Sequence, residues 1–99
     1  MSDTVSGAVR SGRQTVTTPG TEVQLTTGII DSDKIEVQAL YTNTGRIVVG
    51  GSSISLTAGS EKGTILTPGQ SMTLPISKAV KVYIDAEVAG EGVTYNIFS

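Results

Sequence analysis

The most regular pattern of hydrophobic and polar positions runs from Ala79 to Phe98. Apolar side chains occupy every second position in residues 80–88, and the alternation resumes in residues 93–98 after a short glycine-containing segment. Because successive side chains of a strand point to opposite faces, this pattern predicts two half-buried strands. Gly90 and Gly92 can both adopt the positive φ that a tight reversal requires. The segment therefore predicts a β-hairpin with a dense apolar face.

The same two-residue period occurs in shorter segments along the rest of the chain. Asn43–Gly45 is predicted to close a hairpin between two of them, and Tyr41 is predicted to share the inward face of the first. Thr18–Thr21 and Thr67–Gln70 place proline second and glycine third, which is the signature of a type II turn. Further strands are predicted in seven segments: 13–18, 22–27, 34–42, 46–49, 53–58, 64–66 and 71–76.

An internal repeat joins the two proline–glycine turns. Residues 15–25 and 64–74 share the pattern T-x-x-T-P-G-x-x-(V/M)-x-L. Each copy is followed by a loop, a strand that begins with lysine (34–39 and 81–86), a turn that contains glycine and one more strand. An internal duplication is one interpretation, and it would suit two facing sheets. Independent use of a common turn before a strand is the other.

These patterns predict an all-β fold. Turn signals separated by about 8–12 residues, with no helical period, are typical of a β-sandwich or a β-barrel. We expect a jelly-roll-like antiparallel β-sandwich, with a small β-barrel as the alternative. The sandwich domain is predicted to span residues 13–99. Residues 1–12 contain too little apolar surface to offset the entropy of ordering, so they are predicted to form a flexible N-terminal arm.

The candidate contact residues for a partner or a second subunit lie in the arm, at the residue that follows it and in the last two strands. The arm either orders against a partner or is a plain disordered terminus. Exposed aromatic side chains on a sheet often mark contact surfaces, although cross-strand packing is an equal alternative. The candidate contact residues are Val5, Val9, Arg10, Arg13, Tyr83 and Phe98.

Composition and charge narrow the classes of function. The chain has 99 residues, a net charge of −2 and no cysteine. Nucleic-acid binding needs clustered basic residues, so an acidic chain argues against it. A thin core without disulfides must gain its stability from packing or from oligomerisation. No apolar segment has the length of a membrane span or the features of a signal peptide, so we expect neither a membrane partner nor classical export.

Candidate chemistry is sparse. The absence of histidine and cysteine removes the common nucleophile–base pairs and most transition-metal sites. Asp31 and Asp33 could bind a cation, but the spaced further ligands of a calcium loop are missing, so a solvated turn is expected. Asp85 and Glu87 share one strand face at a separation of about 6.5–7 Å. Paired carboxylate catalysis uses such distances, but a solvated face is the simpler interpretation. We expect no catalytic residue, no metal and no cofactor.

Three segments together resemble a known family. They are NTGRIVVG (residues 43–50), LTPGQSMTLPI (residues 66–76), and VYIDA with GEGVTY (residues 82–86 and 90–95). They are similar to small structural proteins of tailed-bacteriophage virions, of the capsid decoration (cement) type and related head-fibre bases. The resemblance covers residues 15–98, and its motifs are turns and strands. They therefore specify architecture more than role.

The resemblance implies a structural, non-enzymatic β-sandwich on the exterior of a capsid. Its expected partner is the major capsid protein, and its expected assembly is a homotrimer that locks neighbouring capsomers. No small-molecule substrate is expected. The alternative is a β-sandwich binding module of a head fibre or tail that attaches to a host surface or a glycan. The absence of tryptophan weakens the glycan alternative, because sugar sites usually contain an aromatic platform.

Overall fold

In the computed structural model, which describes residues 9–26, 32–76 and 81–98, the chain is all-β, as predicted. No helix long and apolar enough to span a membrane occurs in these residues. The eight strands are β1 (Val9–Thr15), β2 (Val23–Gln24), β3 (Lys34–Ala39), β4 (Ile47–Gly50), β5 (Thr64–Leu66), β6 (Ser71–Leu74), β7 (Tyr83–Ala86) and β8 (Gly92–Phe98).

The strands form two four-stranded sheets in which every pairing is antiparallel. The first sheet has the strand order β1-β8-β3-β6, and the second has the order β2-β7-β4-β5. The two sheets do not close into one barrel, so the barrel alternative is wrong. Instead each sheet buries one face against the other, and each keeps two edge strands.

A single hydrophobic core lies between the two sheets. It forms because alternate side chains of every long strand point to the same side, for example Ile35 and Val37 of β3 and Ile84 of β7. The buried members are Val16, Leu25, Ile35, Val37, Ala39, Ile47, Val49, Leu66, Val82, Ile84, Ala86, Val93 and Ile97. Val23, Met72, Leu74, Ile76 and Tyr95 pack against them at the margins.

Three sequence predictions need correction in detail. Tyr41 was predicted to face inward, but it lies after the end of β3 and is 84% exposed. Residues 53–58 were predicted to form a strand, but they lie in a loop. Within the described residues, this loop forms one isolated β-bridge, between Ser55 and Lys62. The boundary at residue 12 falls inside β1, so residues 9–12 are paired with β8.

Both predicted hairpins are wrong in a consistent way. β3 and β4 lie in different sheets, and so do β7 and β8. Of the eight strands, β4 and β5 are the one consecutive pair that is hydrogen-bonded side by side. The turns at residues 40–46 and 87–91 therefore carry the chain across the core from one sheet to the other. Alternation shows which face of a strand is buried, but it does not distinguish a neighbour in the same sheet from a strand in the facing sheet.

The two glycines of the last turn have different roles. Gly90 has φ +84, so its predicted left-handed conformation is confirmed. Gly92 does not have positive φ; it is the first residue of β8. A Cβ atom at Gly92 would lie 2.0 Å from the carbonyl oxygen of Gln14. A close approach of two strands, rather than a turn, requires glycine there.

The two proline–glycine turns have the predicted geometry. The amide of Thr21 donates to the carbonyl of Thr18 at 3.0 Å, and the amide of Gln70 donates to the carbonyl of Thr67 at 2.9 Å. Gly20 and Gly69, at the third positions, have φ +92 and +85. A first-to-fourth hydrogen bond with positive φ at the third residue indicates type II turns.

The repeated segments occupy equivalent positions in the fold. Exchanging β1–β4 with β5–β8 converts the strand order of the first sheet into that of the second. The registers also correspond: Val23 pairs with Ile84, and their counterparts Met72 and Val37 pair with each other. Agreement of sequence, order and register supports the internal duplication.

Candidate functional site

The outer face of the first sheet, which points away from the second sheet, brings together three of the six predicted contact residues. The registers place Val9, Phe98 and Lys34 in one row across β1, β8 and β3. Arg13 lies in a parallel row with Thr94 of β8. Because the two rows are four residues apart along β1, Val9, Arg13 and Phe98 occupy one surface.

The row through Phe98 contains the apolar part of this face. Val9 is 57% exposed and Phe98 is half-buried. The ammonium of Lys34 lies 5.4 Å from the centre of the Phe98 ring, within the distance at which a cation is attracted to an aromatic face. Lys34 thus lies over the Phe98 ring at one end of the row, while Val9 is exposed at the other end.

A polar row holds β1, β8 and β3 together between these two rows. The hydroxyl of Ser11 donates to Oδ1 of Asn96. The amide nitrogen of Asn96 donates to Oε1 of Glu36 at 3.2 Å. Because each side chain is bonded to its neighbour on the next strand, the outer face is a preformed surface.

The long edge strand β1 borders this surface, and within residues 9–26, 32–76 and 81–98 no strand pairs with the other side of its backbone. Val16, just after β1, exchanges hydrogen bonds with the chain entering β8, since its amide donates to the carbonyl of Glu91 at 2.9 Å. In an antiparallel pair, the backbone amides and carbonyls of successive residues point alternately toward and away from the partner strand. The amides and carbonyls of Val9, Ser11 and Arg13 therefore point away from β8. An exposed row of this kind can pair with a strand of another chain.

Gln14 closes the C-terminal end of this edge. Its Oε1 accepts a hydrogen bond from the amide of Thr15 at 3.1 Å, and its Nε2 donates to the carbonyl of Gln24 at 2.7 Å. The side chain thus ties β1 to β2 of the second sheet. The open part of the edge is limited to the residues before it.

The remaining contact candidates lie elsewhere. Arg10 is exposed on the side of β1 that faces the core, at the margin of the sandwich. Tyr83 is half-buried in the second sheet, between Gln24 of β2 and Gly50 of β4. Val5 is outside the described residues. The structure thus divides the predicted set between opposite faces of the molecule.

The proposed cation loop receives no support within the described chain. Asp31 is outside the described residues, and the amide of Asp33 donates to the carbonyl of Phe98 at 2.7 Å. Across residues 9–26, 32–76 and 81–98, no group of three or more acidic side chains is arranged to hold a metal ion.

Asp85 and Glu87, which share the predicted strand of residues 80–88, differ in burial and in their hydrogen-bond partners. Asp85 was expected on a solvated face, but it is 4% exposed. Its Oδ1 accepts hydrogen bonds from the amides of Gly20 at 3.1 Å and Ala86 at 2.8 Å. Glu87 lies after the end of β7 and is exposed. The two carboxylates therefore have different partners, although both line the same groove.

The loop at residues 51–63 explains the burial of Asp85, and the sequence pattern did not indicate it. Val48 points to the outer face of the second sheet, yet it is fully buried. Its Cγ2 and that of Ile54 lie within 3 Å of the position of a Cβ atom on Gly63. The loop therefore covers the outer face of β4, and Asp85, the register partner of Val48 on β7, lies at the border of this cover.

A groove borders Asp85 on this covered face. Its volume is about 380 Å³. We call it the Asp85 groove, and its lining residues are Pro19, Gly20, Ile54, Ser55, Leu56, Thr57, Asp85, Ala86 and Glu87. The sequence contained one signal of it: the repeat aligns Asp85 with Gln38, so a carboxylate replaces a neutral amide at equivalent positions.

Two glutamates hold the crossing turns at one end of the sandwich. The Arg46 guanidinium donates to Glu87 from Nε at 3.0 Å and from Nη2 at 2.9 Å, and the Arg46 amide also donates to Glu87. Glu91 accepts hydrogen bonds from the amides of Thr44 at 2.7 Å and Gly45 at 2.9 Å. Sequence reasoning missed both networks, because each joins residues more than 40 positions apart.

The hydrogen bonds of Glu87 and Glu91 should make the free energy of unfolding depend on pH. The side-chain and backbone hydrogen bonds from Arg46 lower the pKa of Glu87 from 4.5 to about 2. The Thr44 amide is the main cause that lowers the pKa of Glu91. A lowered pKa means that the stabilisation is present above pH 4.5 and is lost as the pH falls towards 2.

We therefore expect Glu87→Gln to lower the urea midpoint at pH 7 and to have little effect at pH 2. The comparison uses urea unfolding of the wild-type chain and the variant at pH 7, 4 and 2. At pH 2 the Glu87 carboxyl is about half protonated in the folded chain and most of its stabilisation is lost, so the two midpoints should come close together. An undiminished difference at pH 2 would show that the ion pair does not cause it.

Comparisons with known proteins identify no relative. No protein-family model matches the chain, and no curated protein and no solved structure matches it significantly.

Proposed function

We propose that this chain is a structural protein of a tailed-bacteriophage virion, without catalytic activity, that binds the outer surface of the capsid and stabilises it. Its partner is the major capsid protein, and it acts as a homotrimer on the capsid exterior. The observation that carries the proposal is the open backbone edge of β1 beside the surface formed by Val9, Arg13 and Phe98. An edge with contact side chains suits attachment to another protein.

The sheet arrangement supports the same proposal. We propose that the two sheets form a jelly roll. The order β1-β8-β3-β6 facing β2-β7-β4-β5 is consistent with two Greek keys, because all but one of the connections cross between the sheets. Viral capsid proteins and lectins use this architecture. The resemblance of residues 15–98 to phage decoration proteins supports the virion assignment in particular.

The physical character of the chain is also compatible with a capsid surface. The core is thin and contains no disulfide, so the free energy of association with a shell would add to folding stability. The net charge of −2 favours solubility. Arg13, on the attachment face, is therefore a local positive charge on an acidic protein.

Binding to undecorated shells of the parent virus tests the proposal. We expect the wild-type chain to sediment with the shells and Arg13→Glu to bind about tenfold more weakly or worse, because reversing a charge at an interface creates like-charge repulsion. Lys81→Glu is the matched control. It makes the same charge change at an exposed lysine before β7, outside both the outer face of the first sheet and the lining of the Asp85 groove, and should alter binding less than about twofold.

Both binding measurements need folded protein, so the melting temperature of each variant is compared first. Failure of the wild-type chain to bind shells would overturn the virion proposal. Equal losses for Arg13→Glu and Lys81→Glu would retain shell binding but contradict attachment through the β1 edge.

A further inference from the structure

We propose that the Asp85 groove binds a basic side chain, lysine or arginine, supplied by the protein to which this chain attaches. The proposal deepens the proposed function and rests on it, because the partner that supplies the side chain is the capsid protein. It concerns the outer face of the second sheet, whereas Val9, Arg13 and Phe98 lie on the outer face of the first. The chain would then contact its partner at two places.

The shape and lining of the groove suit a long side chain with a charged end. Its volume of about 380 Å³ lies within the range of about 300–1,000 Å³ that small ligand sites occupy. Pro19, Ile54 and Leu56 provide apolar walls. Lysine and arginine bury their methylene stems on such surfaces while the charged group seeks a polar partner. Asp85, in the same lining, is that partner.

The carboxylate of Asp85 is buried without a compensating charge from the described part of the chain. The side chain is 4% exposed, and its hydrogen bonds from Gly20 and Ala86 both go to Oδ1. Among residues 9–26, 32–76 and 81–98, no basic side chain forms an ion pair with it. Burying a charge is costly unless it is paired. A cation that enters the groove would provide the missing pair.

Comparison of the two duplicated halves indicates that holding the proline–glycine turn does not require the charge of Asp85. Gln38 occupies the position equivalent to Asp85, and its Nε2 donates to the carbonyl of Gly69 at 3.0 Å. In each half, therefore, this side chain holds a proline–glycine turn. A neutral amide performs that task on the exposed side, so turn holding does not by itself require a carboxylate.

The surroundings disfavour other ligands. Glu87 adds a second carboxylate to the lining, which repels anions. The groove residues contain no aromatic side chain on which a sugar ring could stack. The charge of Glu87 is itself paired with Arg46, at 2.9 Å, so Asp85 is the carboxylate left for an incoming cation.

Titration of the folded chain with side-chain analogues, followed by NMR of backbone amides, tests the groove. The probes are N-acetyl-lysine methylamide and N-acetyl-arginine methylamide, with N-acetyl-norleucine methylamide and glucose as neutral probes. We expect the charged probes to shift the amides of Gly20, Ser55 and Thr57, and the neutral probes to leave them unchanged. Asp85→Asn should weaken binding about tenfold or more, as expected for loss of a charge-assisted hydrogen bond.

Two further variants keep the test decisive. Glu36→Gln removes a carboxylate from the outer face of the first sheet and should leave the titration unchanged. Thr57→Lys keeps Asp85 and places a cation in the groove lining, so it should block the charged probes even if Asp85→Asn fails to fold. Equal shifts from lysine and norleucine probes, or shifts from glucose alone, would overturn the proposal.

Binding to shells distinguishes failure of the groove proposal from failure of the proposed function. If the charged probes bind through Asp85 but the wild-type chain ignores the shells, the groove is supported as a cation site, while the capsid proposal and the assignment of its partner fail. If shells bind the wild-type chain and Thr57→Lys equally, the groove is not the attachment point and this inference is overturned. Weaker shell binding by Thr57→Lys, with Lys81→Glu unchanged, supports both.

Discussion

Replacing Gly92 by alanine is expected to destabilise the fold by about 3 kcal/mol or more, at the upper end of overpacking effects. The added methyl group would lie 2.0 Å from the carbonyl oxygen of Gln14 and 2.7 Å from Cα of Thr15. Both are backbone atoms of the adjacent strand, so no side-chain rotation relieves the overlap. The strands must separate, which would strain the hydrogen bonds that the Gly92 carbonyl accepts from Leu40 at 3.1 Å and from Asn43 at 2.9 Å.

Urea unfolding measures this effect, and Gly51→Ala is its control. A Cβ atom at Gly51 would meet nothing within 4 Å, and Gly51 does not have positive φ. Its substitution should change the free energy of unfolding by less than about 1 kcal/mol, with the lower entropy of the unfolded chain favouring a slight gain. Similar small effects at both positions would mean that β1 and β8 are not in close contact at Gly92.

Truncating Ile84 to alanine is the second change with a large expected effect, a loss of about 2–5 kcal/mol. Ile84 is fully buried in the middle of β7 and faces the core. Its backbone partners are Val23 of β2 and Val49 of β4, so strands flank it on both sides. Neighbours held in two ladders can move little into the space that the side chain leaves, and a cavity remains.

A size series makes this prediction specific to packing. Ile84→Val removes one methyl group and should cost about 0.5–1.5 kcal/mol. Val88→Ala provides a surface comparison in the following turn, where the side chain is 38% exposed, and should cost less than about 1 kcal/mol. Thermal unfolding should rank the melting temperatures of the three variants in the same order. Because the thin core provides only a small total free energy of unfolding, each loss should be measurable. An alanine variant as stable as the valine variant would contradict the placement of Ile84 in the core.

Much of the local structure could be predicted from the sequence, because its causes are local. The alternation of β3 placed Ile35 and Val37 in the core, and the alternation of β7 did the same for Ile84. The turns at Gly20 and Gly69 followed from the backbone preferences of proline and glycine in adjacent positions. These signals depend on neighbours in the chain, so they are readable without the fold.

The candidate sites were less predictable, because they depend on distant segments. Val9, Arg13 and Phe98 were each proposed as contact residues, but the register of β1 with β8 brings them to one face. Asp85 was expected in solvent, and it is buried because the loop after β4 covers the outer face of the second sheet. Gly92 was assigned to a turn, whereas the close approach of Gln14 from β1 decides its role.

The sequence by itself determined an all-β chain, the positions of β3 and β8, the faces that they bury and two type II turns. Only the tertiary structure decided that the chain crosses the core at residues 40–46 and 87–91, and that the strands are shared between two open sheets. The physical reason is that a strand buries the same apolar face whether its successor lies beside it or opposite it. Choosing between these arrangements depends on the burial and hydrogen bonding of all eight strands together, which no single segment encodes.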